Sequence, residues 1–388
     1  MVLEYWQLLL LPFFFALGWI AARVDIRHVV HESRGLPRSY FQGLNFLLNE
    51  QPDKAIDAFL EVARSDDKTV ELNFALGGLF RRQGESERAI KMHQSLVDRD
   101  DLGEEIRMQA LSELGQDFLK LGLLDRAEAI FLKLEGSPFA DEARHYLMEI
   151  YQVEKDWEKA IAIAQTLPDT HSGMEIAHFH CELAANELIR SRLDAAAAHL
   201  DAAFAAHRKC VRASIIAGDL ALQRGETEAA IAAWQKIEQQ DAAYLALVAQ
   251  RLLEAYRQQN KTAEGLALLR AYLERYPSLD FLDSVYQLEL EAEGSEAAYR
   301  LVRSELKRNP SLLGLEKLMD ARMPLASETN RGDLELARSI VQGYTRRLAR
   351  YRCNHCGFRA RQFYWRCPAC GGWETYPPRR EEEFDPQL

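Results

Sequence analysis

Four of the six cysteines in this 388-residue chain lie close together near its end: Cys353, Cys356, Cys367 and Cys370. They form two Cys-x-x-Cys pairs separated by ten residues. Four thiolates at this spacing suit a tetrahedral ion. Each pair makes a knuckle, and the loop between them brings the knuckles face to face. Gly357 and Gly371 follow the pairs and let backbone N–H groups turn toward the sulfurs, while Pro368 stiffens the second knuckle. A thioredoxin-like dithiol needs one pair rather than two. So short a segment has too little core to fold by itself, so a bound ion is expected to supply much of its folding energy.

Four sulfurs accept zinc or iron. The knuckles "CGF" and "CPACG" resemble those of rubredoxins, which hold one iron, but the connecting loop is much shorter and brings the segment close to a zinc ribbon. The surroundings are basic. Arg346, Arg347, Arg350, Arg352, Arg359, Arg361, Arg366, Arg379 and Arg380 face a single acid, Glu374, whereas the whole chain carries a net charge of −11. Arg352, Arg359 and Arg366 can offset the negative charge of a four-thiolate centre. With Tyr351, Phe358, Phe363, Tyr364, Trp365 and Trp373 they could instead bind RNA. The third reading, that the basic face packs on the acidic body or a partner, is the one expected here. The acidic balance argues against the chain as a whole being a nucleic-acid binder.

The elements that position this tail are repeats. "GLNFLLNEQPDKAIDAF" (43–59), "GGLFRRQGESERAIKMH" (77–93) and "GQDFLKLGLLDRAEAIF" (115–131) share one pattern. Gly43, Gly77 and Gly115 are followed by Phe46, Phe80 and Phe118, then by Ala55, Ala89 and Ala127. The last position recurs at Ala160, Ala196, Ala230, Gly265 and Ala298, with spacings of 33 to 38 residues. That period is similar to the tetratricopeptide repeat: helix–turn–helix units whose small residues let paired helices approach closely. About eight units are expected over 39–310, with the glycine lost near Ala160 and Ala196, then capping helices and a linker over 311–350. The metal domain follows at 351–376, and a tail at 377–388. Solenoids of this kind hold other proteins in a groove.

The other end is different again. Residues 5–22, "YWQLLLLPFFFALGWIAA", carry no charge and would make a helix of about 27 Å, near the thickness of a hydrocarbon core. Only Glu4 precedes them, whereas Arg23, Arg27, Arg34 and Arg38 follow. The expectation is a retained anchor over 1–22 and a basic juxtamembrane linker over 23–38. The N-terminus would lie outside and the body in the cytoplasm, where thiols stay reduced.

No Walker A loop, Gly-x-Ser-x-Gly elbow or His-Glu-x-x-His motif occurs, and the chain reads as a non-enzyme. In "EIAHFHCELA" (175–184), His178 and His180 are two apart on a helix and point to different sides. Packing or partner contact is expected of them, and Cys181 and Cys210 read as small buried hydrophobes.

Taken together, the stretches 43–62, "GESERAIKMHQSL" (84–96), "EIAHFHCELA" and "YRCNHCGFRARQFYWRCPACGGW" (351–373) resemble the lipopolysaccharide assembly protein B family of Gram-negative bacteria. The resemblance runs over essentially the full length. It implies an all-α tetratricopeptide superhelical solenoid with an N-terminal transmembrane helix and a small rubredoxin-like metal domain. It further implies an inner-membrane adaptor for the protease FtsH that promotes degradation of the LpxC deacetylase, and a scaffold for other lipopolysaccharide-assembly proteins. Iron on Cys353, Cys356, Cys367 and Cys370 is the implied metal, with zinc the alternative. The competing readings are a tethered scaffold whose ribbon binds RNA, or an electron carrier.

Overall fold

The computed structural model describes residues 38–49, 51–65, 70–167, 172–345, 351–378 and 380. The chain divides into two compact units, Met1–Glu154 and Lys155–Leu388. The stretch expected to be an anchor, 5–22, lies outside the described residues. Among the described residues no helix is long and apolar enough to cross a membrane.

The described part of the first unit is helical: α1 (Arg38–Leu48), α2 (Pro52–Ser65), α3 (Val70–Gln83), α4 (Ser86–Val97), α5 (Glu104–Lys120), α6 (Leu124–Lys133) and α7 (Ala140–Glu154). The repeat glycines mark where paired helices meet. A Cβ on Gly43 would stand 2.5 Å from the Phe59 ring, and one on Gly115 2.7 Å from Phe131. Gly84, with φ +83°, ends α3 in the left-handed conformation that glycine takes at least cost. The Glu85 N–H then reaches back to the Phe80 carbonyl at 2.8 Å and satisfies an end-of-helix acceptor. In the second repeat, the position that holds Phe59 and Phe131 elsewhere is His93. Buried, it sets Nδ1 2.5 Å from Asp117, which also accepts from Arg81 at 2.9 Å.

The second unit runs through α8 (Trp157–Ala164), α9 (Ser172–Ile189), α10 (Leu193–Ala206), α11 (Val211–Gln223), α12 (Thr227–Gln235) and the short α13 (Ile237–Asp241). A 3-10 turn (Ala242–Leu247) leads into α14 (Ala249–Gln258), α15 (Thr262–Arg275), α16 (Leu279–Glu293), α17 (Ser295–Arg308), α18 (Leu312–Arg322) and α19 (Glu328–Thr345). Size exchange explains the missing glycines. Gly218 admits Trp234, whose indole would lie 2.1 Å from an added Cβ. One repeat earlier Ala184 stands in the glycine register and Leu200 in the tryptophan register. In the α16–α17 pair Tyr286 and Val302 reverse the sizes. All four are buried, so each pair of helices still meets through a smaller and a larger side chain while the glycine itself is lost.

A ribbon completes this unit. β1 (Tyr351–Arg352) pairs antiparallel with β2 (Arg359–Ala360), placing Arg352 opposite Arg359, and an isolated bridge joins Arg366 to Trp373.

Candidate metal centre

The two Cys-x-x-Cys segments fold as near copies. In the first, Gly357 N–H returns to the Cys353 carbonyl at 3.0 Å and Cys353 N–H bonds to the Phe358 carbonyl at 2.8 Å. In the second, Gly371 N–H returns to the Cys367 carbonyl and Cys367 N–H bonds to the Gly372 carbonyl, both at 2.9 Å. Both glycines have positive φ, +75° and +71°, the turn that a side chain would strain.

The four Sγ atoms lie within 4.8 Å of one another. Cys353 and Cys370 are 3.8 Å apart and Cys356 and Cys367 3.7 Å. A tetrahedron with metal–sulfur bonds of about 2.3 Å has edges of about 3.8 Å, the separation of these two pairs, so the quartet suits such an ion. Zinc and iron both satisfy that geometry. Burial pushes the Cys353 thiol up, but Thr375 and the N–H groups of Cys356 and His355 outweigh it and bring the value to about 6. Burial pushes Cys367 up to about 12. A bound cation would draw all four to the thiolate.

The other face of the ribbon is aromatic and is seated on the helices. Trp373 stacks on the His178 imidazole of α9, with centroids 4.6 Å apart and planes 15° from parallel. Trp365 lies parallel to Tyr244 of the 3-10 turn at 5.3 Å. Arg212, paired with Glu182 at 2.8 Å, stands over both indoles at 5.8 and 5.9 Å. Polar ties hold the edges. His178 Nε2–H donates to Glu374 at 2.9 Å, and Asp280 on α16 accepts from the Tyr351 hydroxyl at 3.0 Å and from Arg380 at 2.6 Å. Inside the ribbon the Tyr376 hydroxyl donates to the Tyr351 carbonyl at 3.0 Å.

Burial holds His178 below its ordinary pKa, against the pull of Glu374. Its Nδ1 is buried without a partner, which fits a neutral ring protonated on Nε2. At Glu374 burial acts upward, but the His178 hydrogen bond prevails and holds the carboxyl down.

The expectation that the basic tail packs on the body holds at Arg380, buried against Asp280, and is corrected at three other arginines. Arg352, Arg359 and Arg361 do not form the dock; all three are exposed. Alternation along β1 explains this: once Tyr351 is turned in, Arg352 is turned out. Aromatic rings desolvate at far lower cost than guanidinium groups, so they take the buried side. His178 makes a partner contact, with the ribbon of its own chain. His180 instead faces His199, Nδ1 to Nδ1 at 3.4 Å. Cys181 and Cys210 are fully buried, 3.8 Å apart. Sequence reasoning missed Tyr244, Asp280 and Glu374 as dock residues.

A helical-repeat protein carrying a rubredoxin-type ribbon on its own repeats is the class that fold and site define. Residues 351–378 match the family model described as a rubredoxin metal binding domain, and residues 42–104 and 183–245 match the tetratricopeptide repeat. Lipopolysaccharide assembly protein B of Escherichia coli (strain K12) is 36% identical over 378 residues, covering 96% of this chain and 97% of that protein. Its Haemophilus influenzae counterpart is 30% identical over 394 residues, covering 97% and 98%. The chain belongs to the lipopolysaccharide assembly protein B family. Among solved structures, a tetratricopeptide repeat protein from Parabacteroides merdae aligns over 74% of this chain and 99% of its own at 14% identity and a TM-score of 0.29.

Proposed function

We propose that this chain takes part in lipopolysaccharide assembly as a membrane-anchored adaptor. It would hold the LpxC deacetylase for degradation by the membrane protease FtsH and gather other lipopolysaccharide-assembly proteins. The observation that carries the reading is end-to-end relatedness to proteins named for lipopolysaccharide assembly. The physics favours an adaptor. A charge-free segment at 5–22 would confine the chain to the inner membrane, with the repeats and ribbon in the cytoplasm. A soluble client held on the repeats then meets a membrane protease at high effective concentration. The chain needs no catalytic chemistry of its own for this work.

In this reading the ribbon completes the client surface, and the ion, iron by family resemblance, ties its two knuckles together. RNA binding by the ribbon is disfavoured because Trp365 and Trp373 are committed to the helices. The test is the cellular half-life of LpxC with the chain present, depleted or replaced by Cys353→Ser. Depletion should lengthen it, and the variant should fail to restore it. An unchanged half-life on depletion would remove the adaptor reading, and full rescue by the variant would remove the ribbon from it.

A further inference from the structure

The face of the ribbon turned away from the helices is a cluster of positive charge. Arg352 and Arg359 are directly opposed across β1–β2 and both are exposed, with exposed Arg361 beside them. Like charges directly opposite on a two-stranded ribbon repel. The one acid within 351–378, Glu374, is turned the other way, against His178. The indoles of Trp365 and Trp373 also face the helices, so this surface has forked N–H donors but lacks those stacking platforms. Donors of that shape fit carboxylates.

The same chain carries a carboxylate-rich segment. Beyond Arg380 the sequence contains Glu381, Glu382, Glu383 and Asp385, outside the described residues. The segment's point of departure is fixed. Arg380 bonds to Asp280, the carboxylate that also accepts from Tyr351, and Tyr351 is the neighbour of Arg352. Five extended residues reach about 17 Å, several times the spacing of about 5 Å between adjacent strands.

We propose that the acidic segment 381–385 docks on the outward arginine face of β1–β2. The chain thereby covers this face itself, and an acidic segment of another protein gains it only by displacement. A tethered segment acts at millimolar effective concentration, so a free competitor starts at a disadvantage.

The experiment compares the unaltered full chain with a full-length variant in which E381Q, E382Q, E383Q and D385N remove the charge but keep the length. The probe is a fluorescently labelled synthetic octapeptide with the sequence of 381–388, read by anisotropy at low salt. The neutralised variant should bind it at least tenfold tighter than the unaltered chain, and added salt should weaken that binding. Adding R352A, R359A and R361A should abolish the gain. A charge swap, R359E with E382K, should restore exclusion of the probe and so separates lost charge from a disturbed ribbon. Equal binding by both chains, or a gain that survives the arginine substitutions, would overturn the proposal. So would a neutralised variant that takes up an RNA oligonucleotide but not the octapeptide.

Discussion

The imidazole of His178 lies against the indole of Trp373 at 4.6 Å while its Nε2–H holds Glu374, the next residue, at 2.9 Å. One ring thus makes both an apolar and a polar contact with consecutive residues of the ribbon. Trp373 is 5% exposed and also meets Trp157 and Phe179 edge-on.

Trp373→Ala should therefore release the ribbon. Removing a buried tryptophan costs about 3–5 kcal/mol, and the edge contacts with Trp157 and Phe179 go with the ring. Denaturant unfolding followed by far-ultraviolet circular dichroism should keep its helical amplitude, with stability of the second unit lower by about 3 kcal/mol. An unaltered midpoint would mean the stack contributes nothing.

Metal removal should act on the ribbon and spare the helices. With a strong chelator, or in Cys367→Ser, the two knuckles lose what ties them, and backbone near Arg359 and Arg361 becomes open to protease. Trypsin cleavage there should rise at least tenfold while helical content stays constant. Metal analysis of the untreated protein, with a visible spectrum, distinguishes zinc from iron.

Acid should loosen the dock through His178. Released, the ring takes up a proton near its ordinary value of about 6.5. Docked, it resists because burial disfavours the charged form. Below that value the released state binds more protons, so docking is at full strength above about pH 6.5 and weakens as pH falls toward the depressed value. Ribbon protection from protease between pH 7.5 and 5.5 should follow this course, and His178→Gln should flatten it. Parallel profiles for the two proteins would assign the acid response elsewhere.

Gly218→Ala places a methyl where the Trp234 indole already stands and should cost about 1–3 kcal/mol. Trp234 also donates from Nε1 to the Ile215 carbonyl at 3.1 Å, which limits how far it can shift. Gly218→Ala with Trp234→Leu recreates the Ala184 and Leu200 arrangement. It should be more stable than the sum of the two single changes indicates, which a double-mutant cycle measures directly.

How much of this was legible in the sequence depends on the range over which each feature is encoded. The thiolate quartet is local: two knuckles and a loop, readable from Cys353 to Cys370. The repeats are periodic, and eight recurrences of one small residue outlast the loss of any single glycine. The seat of the ribbon is neither. His178 and Glu374 are 196 positions apart. Tyr244 sits in a turn inserted between repeats, where periodicity carries no information. Asp280 reads as an ordinary first-turn acid of a helix. The basic character of the tail pointed toward the acidic body, whereas alternation along a two-residue strand sends Arg352 and Arg359 outward.

Asp280 receives Tyr351, the first residue of the ribbon, and Arg380, which lies just beyond its last. A flap fastened at one end can fray from the other by degrees. With both ends pinned to one carboxylate, there is no free edge from which to begin. Detachment then becomes a single concerted opening, and the surface beneath is either covered or bare, with no graded states between.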